Sequence, residues 1–259
     1  TQTTRRPHLE LAVEALLLLS VVALAAGFID AVAGGGGLLT IPALMAVGVP
    51  PAGAIATNKL QACFGSFSAT RFFLRQGLSS LRQQWPAMTC AAIGAMAGAW
   101  LIQQINSDWL TTAMPFAMML IALYLIIAPH AKTEDQPPRI SRKAFNATVV
   151  TSIGVYDGGF GPGTGTFFTL GHATARGLSL VNATANAKLL NFTTNIVSLA
   201  VFILGGHILW TAGLCMAVGQ AIGARLGAAA AMKQGANFIR WMQVGVCIAN
   251  SIYLLLTNS

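Results

Sequence analysis

Charged residues are scarce in this chain of 259 residues: Asp, Glu, Lys and Arg together make up only 8% of it, against roughly 25% in an ordinary soluble domain. Hydrophobic residues make up 55%, and the mean hydropathy is +0.66. A water-facing globule of this size needs more polar groups, which excludes a typical soluble enzyme and a disordered chain. Long continuous apolar stretches favour a polytopic membrane protein of α-helices over a β-barrel, which is built from short alternating segments.

The chain also lacks the common motifs of metal, redox and nucleotide chemistry. Its four cysteines are isolated, and no histidine lies at metal-ligand spacing from a cysteine or a carboxylate. The glycines 34–37 are not followed by the GK[ST] of a phosphate-binding loop. No basic face with interleaved aromatic residues is present to bind nucleic acid. We therefore predict no cofactor, no metal, no catalytic residue and no nucleic-acid partner.

The sequence contains two copies of one unit. Asp30 ends GFID and is followed by AVAGGGGLLT and AIATNKL, and Asp157 ends GVYD and is followed by GGFGPGTGTF and ATANAKL. The offset is 127 residues at the aspartates and 129 residues at Lys59 and Lys188, so a two-residue insertion lies between them. We predict one membrane domain, 1–259, of two homologous repeats, 11–128 and 144–256, related by a pseudo-two-fold axis. A polar linker, 129–143, joins them.

Apolar stretches give a coarse topology. The clear candidates for membrane spans are 11–28, 85–103, 110–128, 147–155, 189–204, 208–232 and 238–256. The span 147–155 is short because a glycine-rich break interrupts it, and we expect its helix to begin near Arg142. GxxxG pairs at Gly94/Gly98 and Gly223/Gly227 predict close helix packing.

The segment 11–70 has two interpretations. Sixty residues of helix would measure about 90 Å, or three crossings of a core about 30 Å thick. The glycines 34–37 and the Pro50–Pro51 pair interrupt it, so one crossing plus a re-entrant pair is the other interpretation. Basic residues predict that the connections 71–84 and 129–143 face the cytoplasm. This leaves inverted and parallel halves open and favours the inverted arrangement.

Charges within apolar segments are few because each costs roughly 2.5 to 3.5 kcal/mol near the centre of a bilayer. Arg225 has no charged counterpart in the other half. The other four form two repeat-matched sets: an aspartate before each glycine run, Asp30 and Asp157, and a lysine after it, Lys59 and Lys188. We expect the aspartates either to carry a coupling proton or to form ion pairs.

Each glycine run precedes an apolar helix. A helix start exposes free N–H groups and the positive end of the helix dipole, which together attract an anion. We predict that two such starts face each other and, with the lysines, bind a small anion. The predicted substrate-binding residues are Gly34, Gly35, Gly36, Gly37, Asn58, Lys59, Gly161, Pro162, Gly163, Thr164, Asn186, Lys188 and Asn191. The alternative is purely structural: buried ion pairs Asp30–Lys59 and Asp157–Lys188 would hold the broken helices together.

The paired motifs GFIDAVAGGGGLLTIPAL with ATNKLQA, and GVYDGGFGPGTGTF with ATANAKLLNFTTNI, resemble the TauE/SafE family of membrane transporters, and most closely its YfcA-like branch. The resemblance extends over 16–253. It implies a bacterial inner-membrane protein of two related halves that exports sulfite, organosulfonates or other sulfur-containing anions. The matched positions include Asp30, 34–37, Asn58, Lys59, Asp157, 161–163, Asn186 and Lys188. Ala31 stands where the branch has a small polar residue.

The residues and the resemblance together predict a secondary transporter, working as an exporter of a small sulfur oxyanion. The alternatives are an anion channel and a membrane enzyme or enzyme subunit. No paired acid and base is visible in the sequence, so we predict that the protein is not an enzyme. Its expected partners are the anion and membrane lipids, and the sequence leaves homo-oligomerisation open.

Overall fold

The structure, a computed structural model, describes residues 11–105, 116 and 134–257, and within these ranges it contains helices and connections but no strand. The predicted all-α fold is confirmed. The first half contains α1 (Val13–Ala33), α2 (Gly37–Ala46), α3 (Pro51–Arg75) and α4 (Leu81–Ile102). The second contains α5 (Arg142–Phe145), α6 (Thr151–Gly159), α7 (Thr164–Ala175), α8 (Leu180–Gly205) and α9 (Trp210–Thr257).

Four of the described helices are long and apolar enough to cross a membrane. They are Val13–Ala33, Leu81–Ile102, Leu180–Gly205 and the Trp210–Ile239 part of α9. Large hydrophobic side chains on them are exposed, among them Leu17, Trp100 and Val218, as expected for surfaces that face lipid rather than water. The predicted span 110–128 lies outside the described residues apart from residue 116.

The segment 11–70 forms two long helices with one short helix between them, and its number of membrane crossings stays a prediction. Helix α1 ends at Gly34, whose φ of 84° is in the left-handed region that favours glycine. Helix α2 has ten residues and measures about 15 Å, half the thickness of the hydrocarbon core. Helix α3 has 25 residues, or about 38 Å. Two helices long enough to cross the membrane therefore flank one helix of half that length. The polar side chains of α3 are mostly buried inside the protein.

The second half repeats this order, with the continuous helical stretch 142–159, which ends with α6, as its first long helix, α7 as its short helix and α8 as its second long helix. The predicted start near Arg142 is confirmed: Ser141 caps α5 by accepting a hydrogen bond from the Ala144 N–H. A π-helical turn, Asn146–Val150, joins α5 to α6. The predicted span 189–204 began too late, since α8 starts at Leu180 and carries buried polar residues in its first turns. Gly235, with φ 73° and ψ −163°, breaks α9 between the two predicted spans.

Contacts between helices determine their relative directions. Along α1 and α9, Leu24 lies beside Gly223 and Phe28 beside Gly227, so these helices run parallel. Helices α3 and α9 are also parallel, since Leu60 contacts Gly213 and the Ser68 hydroxyl donates to the carbonyl oxygen of Ala221. The long first helix, α3 and α9 thus share one direction.

The remaining long helices run the other way. Helix α8 is antiparallel to α3, because Lys59 bonds to Asn195 and Thr70 bonds to the backbone of Lys188. Helix α4 returns from α3 through the short connection 76–80. It runs parallel to α6, since Gly94 lies beside Thr151 and Gly98 lies beside Val155. Each matched pair of helices (α1 with α6, α3 with α8, α4 with α9) is therefore antiparallel.

The predicted GxxxG packing is present and joins the two halves. A methyl group added at Gly98 would overlap the carbonyl oxygen of Val155 on α6, and one added at Gly223 would overlap that of Leu24 on α1. Each GxxxG helix therefore packs against the first long helix of the other half, at a distance that only glycine permits.

Candidate functional site

Two buried ion pairs link the halves of the protein. The Lys59 Nζ lies 2.7 Å from the Asp157 Oδ1, and the Lys188 Nζ lies 3.0 Å from the Asp30 Oδ2. Both lysines are completely buried. The alternative of pairs within each half, Asp30–Lys59 and Asp157–Lys188, is therefore wrong. Each lysine pairs with the aspartate of the other half, because α3 and α8 pack against each other.

The Asp157 carboxylate is surrounded by donors. Besides the Lys59 ammonium, the Thr164 hydroxyl donates to Oδ1 at 3.0 Å and the Thr194 hydroxyl donates to Oδ2. The ammonium of Lys59 also donates to the Asn195 Oδ1 at 3.3 Å. Hydrogen bonds of this kind stabilise a buried ion pair.

The Asp30 carboxylate has weaker support. Apart from Lys188, the one donor found for it in the described part of the chain is the Gly36 N–H, at a long 3.4 Å. The Asp30 side chain keeps 12% of its surface exposed, against 2% for Asp157. Each of the two pairs therefore joins a lysine of one half to an aspartate of the other, but the two aspartates differ in hydrogen bonding and in accessibility.

The two glycine breaks touch each other. A methyl group at Gly34 would overlap the backbone of Gly165 and Thr166, and the Thr166 hydroxyl donates to the carbonyl oxygen of Ala33 at the end of α1. Pro162 lies against Gly37, with its Cα 3.4 Å from the position of an added Cβ. The predicted meeting of the glycine runs is thus present as direct backbone contact.

Both ammonium groups lie against the second break. An added Cβ at Gly161 would come within 2.9 Å of the Lys59 Nζ, and one at Gly165 within 2.9 Å of the Lys188 Nζ. Gly161 and Gly163 have φ values of 97° and 78°, so the chain there requires glycine for conformation as well as space. The carbonyl oxygen of Pro162 accepts a hydrogen bond from the Tyr156 hydroxyl, which fixes the loop.

Two predicted asparagines serve neighbouring networks rather than the ammonium groups. The Asn58 Oδ1 accepts from Thr40 at 2.6 Å and from the Gln61 Nε2 at 2.7 Å, which ties α2 to α3. The Gln61 Oε1 is buried without a partner among the described residues. Asn186 accepts from Ser79 and Gln84 near the connection of α3 with α4.

The third predicted asparagine, Asn191, acts through its neighbour. Its Oδ1 accepts from the Asn195 Nδ2 at 3.0 Å, which orients the Asn195 oxygen toward Lys59. The sequence analysis missed Thr194, whose hydroxyl contacts Asp157. The signal available was helical spacing: Lys188, Asn191 and Asn195 lie on one face of α8, and Thr194 adjoins that face.

The two ion pairs lie at different depths. Lys188 and Asn195 are seven residues apart on α8, which is about 10 Å along its axis. Lys188 is nearer the end where α8 begins, and the Ser79–Asn186 bond places the connection 76–80 at that same end. The linker reaches this end too, since Asp135 accepts a hydrogen bond from the Ser179 N–H. The helical positions that hold the two pairs therefore differ in depth, with Lys188 nearer the end that holds the linker.

A cavity of about 130 Å³ lies toward the other end. Its lining comes from α3, α4, α8 and the residues that follow α4 and α8: Ala52, Ile55, Ile102, Gln103, Ile105, Phe202 and His207. Ile55 stands one helical turn before Lys59 on α3. The cavity therefore approaches the Lys59–Asp157 pair from the end opposite to the linker.

Comparison with known proteins identifies the family. The sequence matches the family described as sulfite exporter TauE/SafE over residues 19–254. A protein of Sinorhizobium sp named probable membrane transporter protein ORF9 is 45% identical over 246 residues, which cover 95% of this chain and 94% of that protein. The probable membrane transporter protein YfcA of Escherichia coli K12 is 47% identical over 242 residues, covering 92% and 90%.

A probable membrane transporter protein of Haemophilus influenzae is 43% identical over 236 residues, covering 91% of this chain and 92% of that protein. No solved structure matches the chain. The helices of spanning length and the family match agree on a multi-pass membrane protein. The chain belongs to the sulfite exporter TauE/SafE family, a family of membrane transporters rather than enzymes.

Proposed function

We propose that the protein is a secondary transporter that exports small sulfur-containing anions, such as sulfite or organosulfonates, across the bacterial inner membrane. The observation that carries the proposal is the position of Lys59 and Lys188. Both are fully buried, and their ammonium groups lie against the glycine-rich start of α7. Ammonium groups at a helix start, where glycine leaves the backbone accessible, suit a small oxyanion.

The proposed anion competes with a carboxylate. Each ammonium group now holds Asp30 or Asp157, and the backbones of Gly34 and Gly165 touch, so an anion enters only when an ion pair opens and the breaks separate. Protonation of the carboxylate is the simplest way to release the ammonium without leaving a buried charge uncompensated. We propose that at least one of the two aspartates, Asp30 and Asp157, has this role and that an aspartate without it keeps its ion pair.

The other proposed ligands are neutral. They are the backbone N–H groups of 34–37, Gly161 and Gly163, the Thr164 hydroxyl, and the carboxamides of Asn58 and Asn191, while Pro162, which has no N–H, would only line the site. Asn186, which lies near the connection 76–80, is proposed to contact the anion on its way in. Neutral donors of this kind orient an oxyanion without adding net charge to the site.

Movement of the halves against each other would expose the site alternately. We infer that the halves are inverted repeats, because each matched pair of helices runs antiparallel and the GxxxG contacts cross between halves in the same register. The driving force would be the gradient of the anion, together with the membrane potential or a coupled proton. A potential of 100 mV contributes about 2.3 kcal/mol per charge and favours expulsion of an anion from a negative interior.

Flux in liposomes tests the proposal. Purified protein is reconstituted, and uptake of labelled sulfite, thiosulfate and simple sulfonates is measured as a function of concentration. A carrier gives saturating uptake, whereas a channel gives uptake that keeps rising with concentration. Lys59→Ala and Lys188→Ala should abolish uptake, and Lys233→Ala, which removes an exposed lysine of α9, should not. Normal flux in both buried-lysine variants would contradict the proposal.

A further inference from the structure

We propose that the two ion pairs have different functions: the Asp30–Lys188 pair opens to receive the anion, and the Asp157–Lys59 pair stays closed as a structural anchor. This inference rests on the proposed function, and it names which lysine meets the substrate. It follows from an asymmetry between pairs that occupy equivalent places in the fold.

The first observation is the number of donors at each carboxylate. Asp157 receives the Lys59 ammonium and has two hydroxyl groups within hydrogen-bonding distance, those of Thr164 and Thr194, each of which also lies near a backbone carbonyl oxygen. Asp30 receives the Lys188 ammonium and a distant Gly36 N–H. An ionised carboxylate with three close donors is held more firmly than one with a single close donor, so the Asp30 pair is the easier to open.

The sequence explains this difference position by position. Thr164 is the first residue of α7, and the first residue of α2 is Gly37. Thr194 and Gly65 correspond at the offset of 129 residues that relates α8 to α3. Both hydroxyl donors of Asp157 are therefore replaced by glycine around Asp30.

Lys188 also lacks the polar partner that the Lys59 ammonium has. Asn195, which accepts from Lys59, corresponds to Ser66 on α3. The Ser66 hydroxyl bonds instead to the carbonyl oxygen of Ala62 on its own helix. Lys188 therefore has no equivalent of Asn195 from this position.

Accessibility and depth agree with this assignment. Asp30 retains 12% exposure of its side chain, and Asp157 retains 2%. Lys188 is also the lysine nearer the end that holds the connection 76–80 and the linker, where Arg75, Arg82, Arg139, Arg142 and Lys143 cluster. An excess of basic residues marks the cytoplasmic side, so the pair that opens more easily is the one that an exported anion reaches first.

The functions of the two ion pairs are distinguished by the binding of sulfite and of thiosulfate to the purified protein, measured by isothermal titration calorimetry. Asp30→Asn removes the competing charge from Lys188, and we expect the Kd to fall by about tenfold or more, the equivalent of one charge-assisted hydrogen bond. Asp157→Asn should raise the Kd and lower the melting temperature, because it disrupts the anchor. Lys233→Ala, on the exposed face of α9, serves as the control with unchanged Kd.

A second variant tests the idea without removing any charge. Gly37→Ser restores a hydroxyl where α7 has Thr164, and the site has room because an added Cβ would meet its nearest neighbour, the Pro162 Cα, at 3.4 Å. We expect the new donor to strengthen the Asp30 pair and to weaken anion binding by about tenfold.

An equal fall in Kd in Asp30→Asn and Asp157→Asn, or an unchanged Kd in Gly37→Ser, would overturn the assignment of different functions to the two ion pairs. The transport proposal would remain intact. If the wild-type protein binds neither anion, the proposed function fails and this inference fails with it.

Discussion

Lys59 and Asp157 are 98 positions apart in the chain, and their charged atoms lie 2.7 Å apart in the interior. Lys188 and Asp30 are related in the same way, so each half of the protein supplies the cation for the buried aspartate of the other. A buried charge that loses its partner is costly, whereas loss of both charges is often tolerated. The crossed pairing therefore has consequences for stability as well as for transport.

The first prediction concerns the partner of Lys59. Lys59→Met leaves the Asp157 carboxylate buried without its cation, and we expect a loss of about 3–5 kcal/mol in the free energy of unfolding. The double variant Lys59→Met, Asp157→Leu should recover much of this loss. Denaturant unfolding of the purified protein in detergent measures both values.

The control for these two variants is Lys59→Met combined with Asp30→Leu, which removes the aspartate from the same half as Lys59. It should be less stable than the single variant, because it leaves Lys188 unpaired as well. Recovery of stability with Asp30→Leu rather than with Asp157→Leu would show that the pairing is not crossed.

The second prediction concerns the contact between the breaks. Gly34→Ala both strains a positive φ of 84° and overlaps the backbone at Gly165 and Thr166. Gly48 is a matched control, since its φ is 87° but nothing lies within 4 Å of an added Cβ. We expect Gly48→Ala to cost about 1 kcal/mol and Gly34→Ala to cost at least about 1–3 kcal/mol more through overpacking. Thermal unfolding with both variants in parallel measures the difference, and equal melting temperatures would contradict the contact.

The third prediction concerns the interface between halves. A methyl group at Gly98 or Gly223 would overlap a carbonyl oxygen of the opposing helix, so Gly98→Ala and Gly223→Ala should each destabilise the protein by about 1–3 kcal/mol. Gly245→Ala is the control, because that position on α9 is open and alanine favours the helix by roughly 1 kcal/mol. Unchanged unfolding of all three variants would mean that these helices do not pack as described.

The fourth prediction concerns sidedness. Ser79 in the connection 76–80 and Lys143 near the start of α5 lie at one end of the helices, and exposed His207 lies at the other. In a background without reactive cysteines, single cysteines at 79 and 143 should be protected from a membrane-impermeant thiol reagent added to intact cells. A cysteine at 207 should be labelled. Labelling of 79 and 207 from the same side would contradict the helix directions.

Much of this architecture follows from the sequence because the membrane restricts where charges and helix breaks can lie. The glycines 34–37 and 161–163 predicted breaks, and both breaks are present. Asp30, Lys59, Asp157 and Lys188 were singled out because charge in an apolar segment is expensive, and all four are buried. The start of the helix at Arg142 followed from the interruption of a span.

The pairing of the charges could not be predicted in the same way. A sequence shows that Lys59 is buried but not which carboxylate it meets, since this depends on how α3 packs against α8. Hydropathy also failed to predict the start of α8, because its first turns contain polar residues that face protein: Asn182, Thr184 and Asn186. Thr194 was missed because a threonine in an apolar helix usually bonds to its own backbone, and the Leu190 carbonyl oxygen does lie 3.2 Å from this hydroxyl.

The most direct test of the account is the position of a bound anion. Selenite resembles sulfite in shape and charge and scatters X-rays anomalously, so crystals grown with saturating selenite would show where it binds. We expect an anomalous peak within hydrogen-bonding distance of the Lys188 Nζ, beside the breaks at 34–37 and 161–165, with Asp30 displaced. A peak confined to the cavity lined by Ile55, Gln103 and His207, with both ion pairs intact, would contradict the account.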